Sequence, residues 1–253
     1  MNTQPYVLRR DLDAGIAEIE FFHPAHNSLP SYLLDQLANQ IEACGLDNKV
    51  SVIILRSGGE RTFCAGASFE ELITIESLEE GKQFFSGFGK VINACRKCPK
   101  LIIGRVQGKA VGGGVGLAAS VDYCIATQYA GVKLSELNVG IGPFVVGPAV
   151  ERKIGLSAMT QLTINANESY DAEWARSKGL YAEVHVSAEA MDRAIAKLSD
   201  YLAQTNPEAR AALKQVFWSG TEHWDQLLSD RAEISGKLVL SKETKNALAK
   251  FRK

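Results

Sequence analysis

Two short apolar runs, Val50 to Leu55 and Leu101 to Val106, constrain the fold of this chain more than any other feature. A strand that is apolar on both faces must be covered on both, and sheets built that way are largely parallel with helices against them. Helical spacing precedes each second strand. Leu33, Leu34, Leu37, Ile41 and Cys44 follow Ser31, a candidate helix cap, with Gly45 as the stop. Ser77 to Glu80 spell a capping box, after which Phe84, Phe85, Phe88, Val91, Ile92 and Cys95 form one face that Pro99 ends. The order strand, helix, strand predicts an α/β fold with a mostly parallel sheet.

Ahead of these runs, Tyr6 to Leu8 and Ile16 to Phe22 bracket a turn at Asp13-Ala14-Gly15 and read as a β-hairpin. Behind them come the glycine-rich stretch from Gly108 to Gly116, a short helix to Ser120 and a short strand from Tyr123 to Ala126. From about Pro148 onward the chain reads as helical, with Pro148 and Pro207 at first turns and Gly155, Gly179 and Gly220 at helix stops. No linker or repeat interrupts the 253 residues, so the natural division is an α/β core over 1-190 and a C-terminal helical region over 191-253.

Charge narrows the partners. Lys+Arg 28 against Asp+Glu 29 leaves a net charge of -1, which lacks the overall field that polyanion binders use and argues against nucleic acid. The start, MNTQPYVLRRDLD, has no apolar leader core, and no apolar stretch is long enough for a bilayer, so a cytoplasmic, non-membrane protein is expected. Five cysteines fit a reducing compartment. Cys95-Arg96-Lys97-Cys98 lacks further ligands, so zinc and redox roles give way to helix packing, and no metal is expected.

Three segments could carry chemistry. Phe63-Cys64-Ala65-Gly66-Ala67-Ser68 follows a buried strand, and its small residues let a ligand reach main-chain N–H groups, although a tight turn explains it equally well. Gly112-Gly113-Gly114 bares the backbone at a helix start, where donors and the positive dipole end converge; close helix packing is the plainer account. Nucleotide motifs fail on spacing. Glu136, in Leu134-Ser135-Glu136-Leu137-Asn138, is a carboxylate among apolar neighbours, whose affinity for a proton would rise on burial; a solvent-facing loop residue is the alternative.

Together these segments resemble the crotonase family, the enoyl-CoA hydratase/isomerase family. The likeness runs from His23-Pro24-Ala25-His26-Asn27-Ser28-Leu29 through the F-C-A-G-A and G-K-A-V-G-G-G motifs, Val121-Asp122-Tyr123 and Glu136, to the segment Asp171 to Leu180. The resemblance implies a superhelix of ββα units with a C-terminal helical trimerisation region, and so a homotrimer or homohexamer. It implies an acyl-CoA thioester as substrate, with no other cofactor, and a thioester oxygen held between the N–H groups of Ala67 and Gly113 with Glu136 as proton carrier. Ala25, Ala65, Gly66, Ser68 and Gly112 would line the substrate site, and Phe144, Val145 and Val146 would favour an apolar or compact acyl chain. His23 and His26 would lie near the CoA adenine. Lys250 and Phe251, in a tail with seven Lys/Arg against two Asp/Glu from Arg231 to Lys253, would approach the CoA phosphates. Phe217, Trp218 and Trp224 read as helix or subunit contacts.

One departure matters. Family hydratases carry two catalytic glutamates, and in this chain the first position is Gly116 while the second is Glu136. Syn hydration asks for a base on water and an acid at the α-carbon, whereas one carboxylate can move a proton between two carbons in sequence. The expectation is 3-enoyl to 2-enoyl-CoA isomerisation. Hydration of a short or branched 2-enoyl-CoA is the alternative; Ser68, which stands where many members have Asp, and Glu70 or Glu71 are possible stand-ins for the absent acid. A CoA-binding protein with little turnover is the rival from another class, and an RNA-associated role gains nothing from the charge balance.

Overall fold

A computed structural model describes residues 4–250. The hairpin is present, β1 (Tyr6–Asp11) pairing antiparallel with β2 (Ile16–Phe22), with Ala14 and Gly15 at positive φ in its turn. After β3 (Ser28–Leu29) and α1 (Ser31–Leu46) come β4 (Val52–Ser57), β5 (Thr62–Cys64), β6 (Gly66–Ala67) and α2 (Phe69–Leu72). The capping box forms as read, Ser77 Oγ accepting from Glu80 N and Glu80 Oε2 from Ser77 N, and opens α3 (Leu78–Lys97). The chain continues through β7 (Leu101–Val106), β8 (Lys109–Val111), α4 (Gly113–Ser120), β9 (Tyr123–Thr127) and β10 (Val132–Lys133). A 3-10 turn (Glu136–Val139) follows, then α5 (Gly147–Ile164), α6 (Ala172–Ser177), β11 (Glu183–His185), α7 (Ala188–Ala203), α8 (Pro207–Phe217), α9 (Trp224–Val239) and α10 (Lys242–Ala249).

The main sheet has the order β1-β2-β4-β7-β9-β11, parallel throughout except at the β1 edge. Its central strands are covered on both sides, as their composition requires. Ile53, Leu55, Ile102 and Val106 join the large core with α1 and α3, while Val52, Ile54 and Ile103 meet Met191 and Ile195 of α7 on the other face. A small parallel sheet, β10-β8-β5, and the pair β3-β6 lie alongside and carry the glycine-rich turns.

Three local readings are corrected. Pro30, not Ser31, stands at the N-cap position of α1 and supplies no side-chain cap bond; Ser31 is the first helical residue, and its N–H and Oγ both donate to Glu71 Oε2 (2.9 and 2.8 Å). Gly45 lies inside α1 instead of ending it, because a Cβ there would press on Pro99 Cδ at 3.1 Å and Cys98 Sγ at 3.2 Å: the glycine permits the close approach of two helix ends. The chain beyond Pro148 is not all helix, since β11 adds a sixth strand. Three residues are too few to show an alternation, and β11 exists through its register with Ile125 to Thr127.

The C-terminal helices are tied to the sheet by a buried ion pair. Asp122, beyond α4, accepts from Lys214 Nζ (2.7 Å), Trp218 Nε1 (2.8 Å) and Ile102 N (2.8 Å). Both charged side chains are buried. Trp218 stacks edge-on against Trp224, so the two tryptophans are helix contacts as expected, whereas Phe217 is 48% exposed. All five cysteines are free and buried, and burial pushes the Cys95 thiol up to about 12. None of the described helices is long and apolar enough to cross a membrane.

Candidate active site

The two glycine-alanine turns meet. Parallel pairing of β3 with β6 sets Leu29 beside Ala67, and the β5–β8 pairing brings the strand ahead of Gly112 against the one ahead of Gly66. Gly66 adopts φ +94, and a Cβ on it would stand 3.4 Å from Gly113 N and 3.2 Å from Val111 O. Gly112 adopts φ 53 and caps α4, so Gly113 is the first helical residue, with an N–H that has no partner within the helix. Phe88 of α3 lies across Gly113, and Cys64 O lies 2.3 Å from where a Cβ on Gly114 would be. Side chains are excluded along the whole turn by what is packed on it.

Glu136 stands at the same place. Its Oε1 is 3.1 Å from the position of a Cβ on Gly112, so the carboxyl group packs against the glycine turn. Although the residue is half-buried overall, Oε2 is shut off from solvent and has no hydrogen-bond partner. Burial pushes the carboxyl up to about 7, against the pull of adjacent main-chain N–H groups. A carboxyl poised there is suited to exchange protons near neutrality. The turn that carries it is held from the C-terminus: Thr244 of α10, fully buried, donates from Oγ1 to Gly140 O at 3.2 Å.

A cavity of about 670 Å³ is lined by Ala25, Ala65, Gly66, Ala67, Ser68, Gly112, Gly113, Glu136 and Phe144, positions that the resemblance assigns to a substrate site. His23 and His26 also line it, on a loop locked by buried Asn27, whose Nδ2 donates to Gly58 O (2.8 Å) and Thr62 O (2.9 Å). Asn27 sits at φ 56, a left-handed conformation that asparagine tolerates, and this was the available sequence signal for it. Lys250 is not brought to the cavity of its own chain; it ends α10 in an exposed position. Phe251 lies outside the described residues.

The stand-ins for a second acid are accounted for individually. Ser68 Oγ accepts from Glu71 N at 3.3 Å and so caps α2. Glu71 is held by Ser31. Glu70 does line the cavity, exposed and close enough to His23 to act on its charge. At Gly116 a Cβ would fall 2.5 Å from Val146 Cγ1, so the space a longer side chain would need is filled by valine.

Comparison with known proteins defines the class. An enoyl-CoA hydratase from Bacillus halodurans has the same fold, with a TM-score of 0.89 at 22% identity, covering 97% of this chain and 99% of that one. This is the crotonase fold, a mixed α/β core with C-terminal helices. A probable enoyl-CoA hydratase of Bacillus subtilis (strain 168) is 28% identical over 243 residues, covering 95% of this chain and 93% of that protein. Mitochondrial methylglutaconyl-CoA hydratase of Mus musculus is 32% identical over 189 residues, 74% of this chain, and the aligned part spans only 60% of the mouse protein. The sequence pattern of the Enoyl-CoA hydratase/isomerase family matches residues 11–251, and the chain belongs to that family.

Proposed function

We propose that this protein isomerises 3-enoyl-CoA thioesters to their conjugated 2-enoyl isomers, with Glu136 as the sole proton carrier and no cofactor beyond the CoA of the substrate. The thioester oxygen sits between the N–H groups of Ala67 and Gly113. Glu136 removes a proton from C2, the two donors stabilise the resulting dienolate, and the same carboxyl returns the proton to C4. Each preorganised donor of this kind contributes roughly 3 kcal/mol to the transition state. On the same reading the active assembly is a homotrimer or homohexamer.

The observation that carries the preference for isomerisation is Val146 in the space beside Gly116. Hydration divides its proton transfers between two positioned groups, and among the described residues the only other carboxylate lining the cavity, Glu70, is exposed beside His23. Supplying a 3-enoyl-CoA should raise the absorbance of the conjugated thioester, while a 2-enoyl-CoA of equal length should persist. Rapid loss of the 2-enoyl absorbance, with no gain from the 3-enoyl compound, reverses the assignment. Gly116→Glu should not create a hydratase, because the new side chain must displace Val146 at an overpacking cost of about 1–3 kcal/mol.

Proton removal also has a pH signature. The carboxylate, not the acid, accepts the first proton, so kcat/KM should climb as pH rises through about 7 and level off above it. A pH profile flat from 5 to 9 would mean that another group performs this step.

A further inference from the structure

Resting on the acyl-CoA reading above, we infer that the acyl group accepted here is uncharged along its length and ends in hydrocarbon, so that chains with a terminal carboxylate are rejected. The argument is one of missing partners. Beyond Gly113 the cavity wall is made by Phe84, Phe85 and Phe88 of α3 with Leu72, and Phe84 joins Ile75, Ile141, Val239 and Leu248 in an apolar cluster against which Phe85 and Leu72 pack. Of the polar side chains lining the cavity, Ser235 of α9 donates from Oγ within its own helix to Arg231 O at 3.3 Å, and Asn138 Nδ2 donates to Ala166 O at 3.0 Å.

The described cations that line the cavity are engaged, exposed or beside a carboxylate. Among the described lining residues the basic side chains are His23, His26 and Lys133. Lys133 Nζ donates to Asn167 O at 2.8 Å. His26 is exposed, and His23 sits beside Glu70, with burial lowering its affinity for a proton. A carboxylate carried to the aromatic wall would lose its water, find no cation among Phe84, Phe85, Phe88 and Leu72, and share the cavity with Glu136, whose Oε2 is itself shut off from solvent and unpartnered.

Titration calorimetry with heptanoyl-CoA and adipyl-CoA, saturated chains of similar size that differ in their far end, tests this without turnover. Heptanoyl-CoA should bind roughly 100-fold more tightly or better in the native protein and still about tenfold more tightly in Glu136→Gln, because the wall offers the carboxylate no partner whether or not residue 136 carries charge. Adipyl-CoA binding within threefold of heptanoyl-CoA would overturn the inference. Leu72→Arg, and separately Phe85→Lys, should each narrow the ratio at least tenfold by adding a cation; no narrowing in a variant with a native circular dichroism spectrum would also overturn it. Failure of the isomerase reading is distinguishable. A protein that selects heptanoyl-CoA but interconverts no enoyl-CoA refutes isomerisation and leaves this selectivity in place.

Discussion

Glu136→Gln is expected to lower kcat by about 10²–10⁴ while acyl-CoA binding stays within a few-fold of native. The amide has the shape of the carboxyl group and keeps its contact with Gly112, so the glycine turn and the cavity wall are undisturbed. It cannot, however, accept a proton from carbon and hand it on. Calorimetric binding of a saturated acyl-CoA, set beside turnover of a 3-enoyl-CoA, separates the two effects. If the variant retains turnover, Glu136 is not the proton carrier; if native protein and variant both bind and neither turns over, the chain is a CoA-binding protein.

The second large effect concerns stability. Asp122→Ala removes the partner of Lys214, an ammonium buried beneath α8, together with the acceptors of Trp218 Nε1 and Ile102 N. Breaking one side of a buried ion pair costs about 3–5 kcal/mol, chiefly because the remaining charge is left uncompensated. Set against a total of about 5–15 kcal/mol for an ordinary domain, that loss is a third or more of the stability in all but the most stable cases. Urea denaturation should show the midpoint falling accordingly. Asp122→Asn combined with Lys214→Met should recover most of the loss, since the uncompensated ammonium is gone and the amide oxygen can still accept from Trp218. Equal destabilisation of single and double variants would show that the charge pair is not what anchors α8.

Local signals of the fold were legible where the chain carries its own instructions. The capping box of α3 and the limits of β7 follow from neighbouring residues, and both formed as read. Features set by distant residues were not. Gly45 looks like a helix stop until Pro99 and Cys98 are placed beside it, and β11 has no pattern without β9. At the site, the small-residue turns were visible, but their meeting depends on strand register across three separate segments. Glu136 reads in sequence as a solvent-facing residue as readily as a buried one; Gly112, 24 positions earlier, is what it lies against. Val146 and Phe88 were visible as apolar residues, but that one fills the space at Gly116 and the other lies across Gly113 was not, because nothing in their own neighbourhoods announces which glycine they will cover.

The interlock of Gly116 with Val146 also bears on how such a chain could change its reaction over generations. A glutamate acquired first would meet a valine already in its space, and a smaller residue acquired first would open a void in the core. Either order passes through a less stable ancestor before the second change arrives, so the two positions are expected to drift together across descendants or not at all. On the isomerase reading, reaction type would therefore be guarded by a packing contact as well as by the lack of a carboxylate at Gly116.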